Sequence, residues 1–253
     1  MSDIVQSVDR TLTILEVLSD YEEGLGITEL SAKIKLHKST VHRLLSTLIH
    51  KGYVYQDPNS NKYHITIKLF ELGNKRIETM DIFSVAKPYL KELRNETNEV
   101  IHLVIRDGNE IVYIDKMESD NTIRMVSRIG RRSSMYCTAV GKAIMSYLPQ
   151  EEIKKIWESS DIKKYTEYTI TSFEDMETEL RKVRQQGYAI DEQENELGVR
   201  CIGSAVLNHT GEIAGAISIS GPTIRVTKDK VEPFSKLLIQ YCGLISKELG
   251  YRG

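Results

Sequence analysis

At 253 residues the chain is long enough for two domains with a sizeable core, and 40% hydrophobic against 28% charged residues excludes a disordered or membrane-embedded class. A net charge of −2 excludes nucleic-acid binding by the molecule as a whole, so any such contact must come from a local patch. Three cysteines without Cys-x-x-Cys spacing exclude a disulfide scaffold; with no leader-like N-terminus or apolar run of spanning length, the expected location is the cytoplasm.

Ser7 to Ser19 is the first expected helix, with Val8, Leu12, Leu15 and Leu18 on its inner stripe. An acidic loop, Tyr21 to Gly26, follows, and Thr28 is read as the N-cap of the next helix. Ile27, Leu30 and Ile34 share one stripe, and after a three-residue break Val41, Leu44, Leu45 and Leu48 share another. So short a break suits two helices crossing steeply, a helix-turn-helix. Gly52 stops the second of them, and Tyr53–Gln56 and Lys62–Ile65 flank a Pro-Asn turn as a hairpin. Helix-turn-helix followed by hairpin is a winged helix, a DNA-binding module that elsewhere serves protein interaction.

Charge divides this region. Between Lys33 and Lys68 seven Lys or Arg residues face Asp57 alone, whereas the first 32 residues carry seven acids and only Arg10. The basic half is the half expected on a duplex, where neutralising phosphates supplies most of the affinity. The outward face of the second helix carries Lys38, Ser39, Thr40, His42, Arg43 and Thr47, and the hairpin adds Lys62. Arg43 suits a guanine edge, and the hydroxyls suit bases or phosphates. The competing reading is a basic face that is only solvated.

Ile67 to Met80 is an expected connector helix weakened by Gly73, and a helix from about Val85 to Thr97 carries Pro88 in its first turn with Tyr89, Leu90 and Leu93 facing in. The domain expectation is therefore 1–66 for DNA binding, 67–81 for the linker and 82–253 for the remainder. Val100–Arg106 and Glu110–Met117 flank the turn Asp107-Gly-Asn109, and Thr122–Arg128 reads as a third strand. Helices are expected at Thr138–Leu148, Glu151–Glu158 and Phe173–Gln186, strands at Val199–Leu207 and Ile213–Ser220, and a closing helix at Thr227–Leu249, interrupted near Pro233. Hairpins, then helices, then a hairpin and a helix make an α+β domain.

Four groups in that domain have pocket chemistry. The helix start at Thr138 offers the N–H groups of Ala139, Val140 and Gly141 to an anion. Asp191 opens a polar run, Cys201 follows Arg200 at the head of a strand, and Ser218 and Ser220 share one strand face. Each has a plain structural reading too: sheet serines bond backbone, and a lone cysteine packs as a small hydrophobe.

The residues Val8-Asp-Arg10, Lys38-Ser-Thr-Val-His-Arg-Leu-Leu45, Gly52-Tyr53, Val100-Ile-His-Leu103, Gly141-Lys-Ala143, Gly198-Val-Arg-Cys201 and Ala216-Ile-Ser-Ile-Ser-Gly-Pro222, in that order, resemble the IclR family of bacterial transcription regulators over essentially the full length. The resemblance implies a winged helix-turn-helix, a linker helix and a GAF-like α+β domain that binds a small effector, often a carboxylic or keto acid. It also implies dimers, or dimers of dimers, on palindromic or repeated operators, and a regulator read here as a repressor. Pocket positions carried over from relatives that bind small acids are Ala139, Val140, Asp191, Cys201, Ser218 and Ser220. Where those relatives have Gly-Ala this chain has the bulkier Ala139-Val140, which narrows or reshapes the mouth.

An enzyme is the alternative, with Cys201 as an acyl-transfer nucleophile, His102 as its base and the winged helix as a protein-interaction module. No Gly-x-Ser-x-Gly elbow, zinc-like spacing, phosphate loop or dinucleotide fingerprint accompanies that pair, so no metal or cofactor is expected.

Overall fold

The apolar stripes of the N-terminal third become three helices, α1 (Gln6–Ser19), α2 (Ile27–Ile34) and α3 (Lys38–His50). The structure, a computed structural model, describes residues 4–78, 81–122 and 127–253. Ile14 and Leu18 of α1, Leu30 of α2, and Val41, Leu45 and Leu48 of α3 bury against one another with Val54 and Tyr63. Val8 and Leu12, expected on the inner stripe of α1, stand exposed instead. Ile14 and Leu18 carry the buried side of α1, with Leu15 and Val17 half-buried against the same core. Thr28 does not cap α2: Gly26 holds that position in extended backbone, and the Glu29 carboxylate accepts the Gly26 N–H at 2.8 Å.

The hairpin pairs β1 (Val54–Gln56) with β2 (Tyr63–Ile65), antiparallel. Asp57 holds its turn by accepting from the Asn59 N–H and the Ser60 hydroxyl. Leu25 adds a third rung by exchanging backbone bonds with Tyr63, a pairing hidden in what reads as an acidic loop. Then comes α4 (Lys68–Glu78); Thr79 and Met80, expected to extend it, lie outside the described residues. The chain divides into two units, the first ending at Ile77 and the second beginning at Glu78.

The second unit opens with α5 (Asp81–Thr97), which starts earlier than expected, so Pro88 falls in the helix interior and not in its first turn. Pro88 is exposed, and the buried face of Ile82, Ala86, Leu90 and Leu93 runs unbroken past it. Strands β3 (Val100–Asp107) and β4 (Glu110–Met117) form the expected hairpin. The strand expected at Thr122–Arg128 falls largely on 123–126, outside the described residues; β5 is Arg132–Ser134. Three helices follow: α6 (Ala139–Met145), shorter than expected, α7 (Gln150–Ser159) and α8 (Phe173–Gln186). The chain closes with β6 (Ala189–Glu192), β7 (Val199–Leu207), β8 (Ile213–Pro222) and α9 (Lys228–Glu248). Pro233 does not interrupt α9, which is one helix throughout.

The six strands form one antiparallel sheet in the order β5-β4-β3-β8-β7-β6. Strand alternation gives each face its own core. Ile101, Leu103, Ile202, Ile217 and Ile219 pack under α5 and α9, while Val104 and Ala216 pack on the other side with Val140, Ile144 and residues of α7 and α8. This α+β architecture is the class expected. His102, Ser218 and Ser220 alternate with the first set, so they face the α6 side.

Candidate functional site

Register assembles a polar floor on that side of the sheet. His102 on β3 stands opposite Ser218 on β8, Cys201 on β7 opposite Ser220, and Asp191 on β6 opposite Cys201. The start of α6 presses onto this floor at Gly203, where a Cβ would lie 2.6 Å from the Ala139 carbonyl carbon. No side chain fits there. Thr138 caps α6: its Oγ1 accepts the Gly141 N–H at 3.2 Å and donates to the Ser134 carbonyl. That removes Gly141 from the N–H groups offered to an anion and leaves Ala139 and Val140.

Ala139, Val140, Asp191, Cys201, Ser218 and Ser220 all line one cavity of about 60 Å³. The wall also takes in, among others, His102, Tyr113, Ser127 and Arg131, which no pocket group of the sequence includes, and Asn195, from the polar run after Asp191. A wider depression of about 390 Å³, along Ser133, Cys137 and Tyr165, shares Arg131, Asn195 and Glu196 with it. A groove of about 200 Å³ between α7 and α8, lined by Gln150, Ile153, Arg181 and Arg184, includes none of these groups. The alternation of His102 with Ile101 and Leu103 was the available signal for its facing, but not for its partners.

Burial sets the chemistry of the walls. His102 Nε2 lies 2.8 Å from Ser127 Oγ and Nδ1 lies 3.4 Å from both Ser218 Oγ and Ser220 Oγ; burial, reinforced by Lys116, drops the ring to about 3, so it is neutral. Burial lifts the Tyr113 phenol to about 12, so it keeps its proton. Asp191 Oδ1 accepts the backbone N–H of Glu194 at 2.7 Å and of Asn195 at 3.3 Å, and burial together with Glu194 raises its carboxyl to about 7. The Cys201 thiol is pushed well above its ordinary value by burial and then by Asp191. The enzyme alternative finds no assembled pair here: His102 is engaged by serines, and Cys201 sits where a thiolate is disfavoured. The cavity walls present hydroxyl, thiol and amide groups.

In the first unit Lys38, Ser39, His42, Arg43 and Thr47 are exposed along α3, while Thr40 and Lys62 are half-buried. The Thr47 hydroxyl spends its proton on the Arg43 carbonyl at 3.2 Å. Of the seven cations between Lys33 and Lys68, two lie over aromatic rings: Lys33 over Tyr21, and Lys68 over Tyr53 with its Nζ on the Lys51 carbonyl. Among the described residues none of the seven has an ion-pair partner. A row of uncompensated cations on a helix-turn-helix is what a polyanionic duplex requires.

These features define a DNA-binding transcriptional regulator with a helix-turn-helix head and an α+β unit. The IclR helix-turn-helix domain model matches residues 7–58, and the model for the bacterial transcriptional regulator IclR C-terminal region matches 74–247. The chain belongs to the IclR family. It is 41% identical to the HTH-type transcriptional regulator KdgR of Escherichia coli K12, covering 98% of this chain and 94% of that one. It is 36% identical to the DNA-binding transcriptional repressor YiaJ of the same organism, over 97% of this chain and 88% of that one. The crystal structure of Thermotoga maritima IclR superposes with a TM-score of 0.84 at 32% identity, covering 98% of this chain and 100% of that one. Among the described residues no helix is long and apolar enough to cross a membrane.

Proposed function

We propose that this regulator represses transcription from an operator and that a small carboxylic or keto acid, bound in the α6-side cavity, modulates its grip on DNA. The observation that carries the reading is the convergence of Ala139, Val140, Asp191, Cys201, Ser218 and Ser220 on a single cavity. The N–H groups of Ala139 and Val140 and the hydroxyls of Ser218 and Ser220 hold the acid, and Asp191 meets a ligand hydroxyl. Repression is supported by the relative YiaJ, a DNA-binding transcriptional repressor. On α3, Lys38, Ser39, Thr40, His42, Arg43 and Thr47, with Lys62 from the hairpin, meet the duplex.

The working unit is a homodimer or a dimer of dimers in the cytoplasm, on palindromic or repeated half-sites. Residues 67–81 connect a DNA-binding domain, 1–66, to an effector domain, 82–253, and a ligand that prefers one placement of the domains changes half-site spacing through that connector. The test begins with a thermal-shift screen of small acids, followed by gel shifts on the chain's own upstream region with each hit. For a hit, calorimetry on S218A and S220A is expected to show affinity reduced by roughly 10- to 150-fold, the loss of one hydrogen bond to a charged group. Unchanged affinity in both variants rejects the site.

A further inference from the structure

We propose that His102 is a positioning residue for the acid, setting the direction in which Ser218 and Ser220 donate. With acid bound, the ring carries its proton on Nδ1 and gives it to the serine oxygens, which leaves both hydroxyl protons for the carboxylate. Nε2 then accepts from Ser127. The inference rests on the reading that those two serines hold the acid. Sheet register fixes the ring among these partners: His102 on β3 stands opposite Ser218 on β8 and, on its other side, opposite Lys116 on β4. Nδ1 lies 3.4 Å from the Oγ of Ser218 and of Ser220, and those two oxygens lie 3.2 Å apart. Nε2 lies 2.8 Å from Ser127 Oγ. Ser127 is held from a second direction, because Lys116 Nζ donates to its carbonyl at 3.1 Å. Tyr113 meets the ring edge-on, with centroids 5.1 Å apart, and all five side chains apart from Lys116 line the cavity.

Proton counting decides between two arrangements. The ring is neutral, kept so by burial and by Lys116, and a neutral imidazole has one N–H donor and one acceptor nitrogen. If the proton sits on Nε2, it goes to Ser127 Oγ, and Nδ1 must take a proton from Ser218 or Ser220. One of the two hydroxyls is then spent on the ring. If the proton sits on Nδ1, the ring donates to the serine oxygens and neither hydroxyl is spent on it. Cys201 stands opposite Ser220 in the register, and its sulfur is a weak acceptor that competes poorly for the hydroxyl proton. A carboxylate only accepts, so it takes both hydroxyl protons and selects the second arrangement. Ser218, Ser220 and His102 are buried, where an unmade bond is costly, so Nε2 draws its proton from Ser127. The acid thereby fixes the direction of a hydroxyl it does not touch, one ring's breadth from the serines. From Ser127 the chain runs on to Gly130 and Arg131, which bond the backbone of Tyr113 at 2.8 and 3.1 Å.

Nitrogen NMR on the full chain with isotope-labelled histidine reads the ring directly, because protonated, bare and charged ring nitrogens resonate apart. The probes are acetate and pyruvate, each against chloride of equal ionic strength. Calorimetry on wild type, S218A and S220A reports separately whether these acids sit on the serines. The His102 signals are identified by their loss in H102N or, should that variant not fold, by contact with the Tyr113 ring. With acid bound, Nδ1 is expected to be protonated and Nε2 bare. A proton on Nε2, or on both nitrogens, in a protein that binds the acid through the serines overturns the proposal and leaves the site standing. No binding of either acid, or binding undiminished in both serine variants, overturns the site and the proposal together. Substitutions give a second readout, each variant being checked for an unchanged thermal transition. H102F keeps a flat ring without nitrogen and is expected to weaken the acid by roughly 2- to 10-fold, the net worth of one neutral hydrogen bond. H102N sets an amide nitrogen one bond from Cγ, where Nδ1 stands, and is expected to recover most of that loss. H102Q, whose amide lies one bond further out, is not. Wild-type affinity in H102F overturns the proposal, and so does rescue by H102Q in place of H102N.

Discussion

Asp191 shows what burial does to a single carboxyl. Its Oδ1 is committed to the backbone N–H groups of Glu194 and Asn195, and desolvation, then Glu194, lift it from the ordinary 3.8 to about 7 against the pull of Lys142. Near neutrality it therefore carries a proton for part of the time and can donate to a ligand oxygen as well as accept. Because its folded-state value lies above its unfolded one, the native chain binds the extra proton between about pH 4 and 7. Stability from this group is consequently present at the acid end and is lost as pH rises through that window. In D191N the titration disappears while an acceptor oxygen for the loop remains, so urea denaturation across the window is expected to give a flatter profile. Glu194, raised in the same direction, leaves a residual slope. A profile as steep as wild type would sink the assignment. Some of this residue-level chemistry was legible in advance: the i, i+2 spacing of Ser218 and Ser220 told that they share a face. The partnership of His102 with Ser218 was not, because it depends on strands whose contacting residues are 116 positions apart.

At the scale of elements, legibility followed length and period. α3 and α8 repeat their apolar stripe over several turns and end at Gly52 and Gly187, both at positive φ, so their limits were readable. β6 is four residues carrying two acids, with a neighbour on one side only, and nothing in Ala189-Ile-Asp-Glu192 announces a strand. Pro88 and Pro233 lie inside continuous helices for a related reason: local chemistry argues for a boundary, and packing of the buried face carries both helices past it. One inter-element tie was invisible from sequence. Lys142 of α6 is fully buried, and its Nζ bonds Glu194 and lies 3.5 Å from Glu179 of α8, while the second oxygen of Glu194 has no partner among the described residues. Thr166 and Thr169 hold the same segment by donating to the carbonyls of Gln193 and Glu194. Lys142 is thus the cation pinning residues 193–198, which carry Asn195 and Glu196 to the cavity wall. K142M should destabilise the second unit by about 3–5 kcal/mol, since it strands a buried carboxylate. Adding E194L should restore a good part of that, and hydrogen exchange across 193–198 should rise in the single variant. Equal protection in both would show that the threonines alone hold the segment.

Across the molecule, the two units divide the chemistry unequally. The cations of the first have no ion pairs among the described residues, whereas every described salt bridge lies in the second. A small acid bound at 100 times its Kd adds about 2.7 kcal/mol to the unit that holds it. Calorimetric melting with a screening hit is therefore expected to raise the transition of the 78–253 unit and leave that of the first unit where it was. A shift of the first unit's transition instead would place the ligand elsewhere.

The strand order has a consequence for synthesis. β3 needs β8 beside it, yet Ile213–Pro222 leaves the ribosome more than a hundred residues after Val100–Asp107. Pairing so distant in sequence is slow and waits for the late partner. The helix-turn-helix head, whose contacts are local, is complete long before. Between the emergence of β3 and that of β8 the nascent regulator therefore has a finished grip on nucleic acid and an open half-sheet following it in the chain, and that unpaired β3 edge is where a chaperone would be needed.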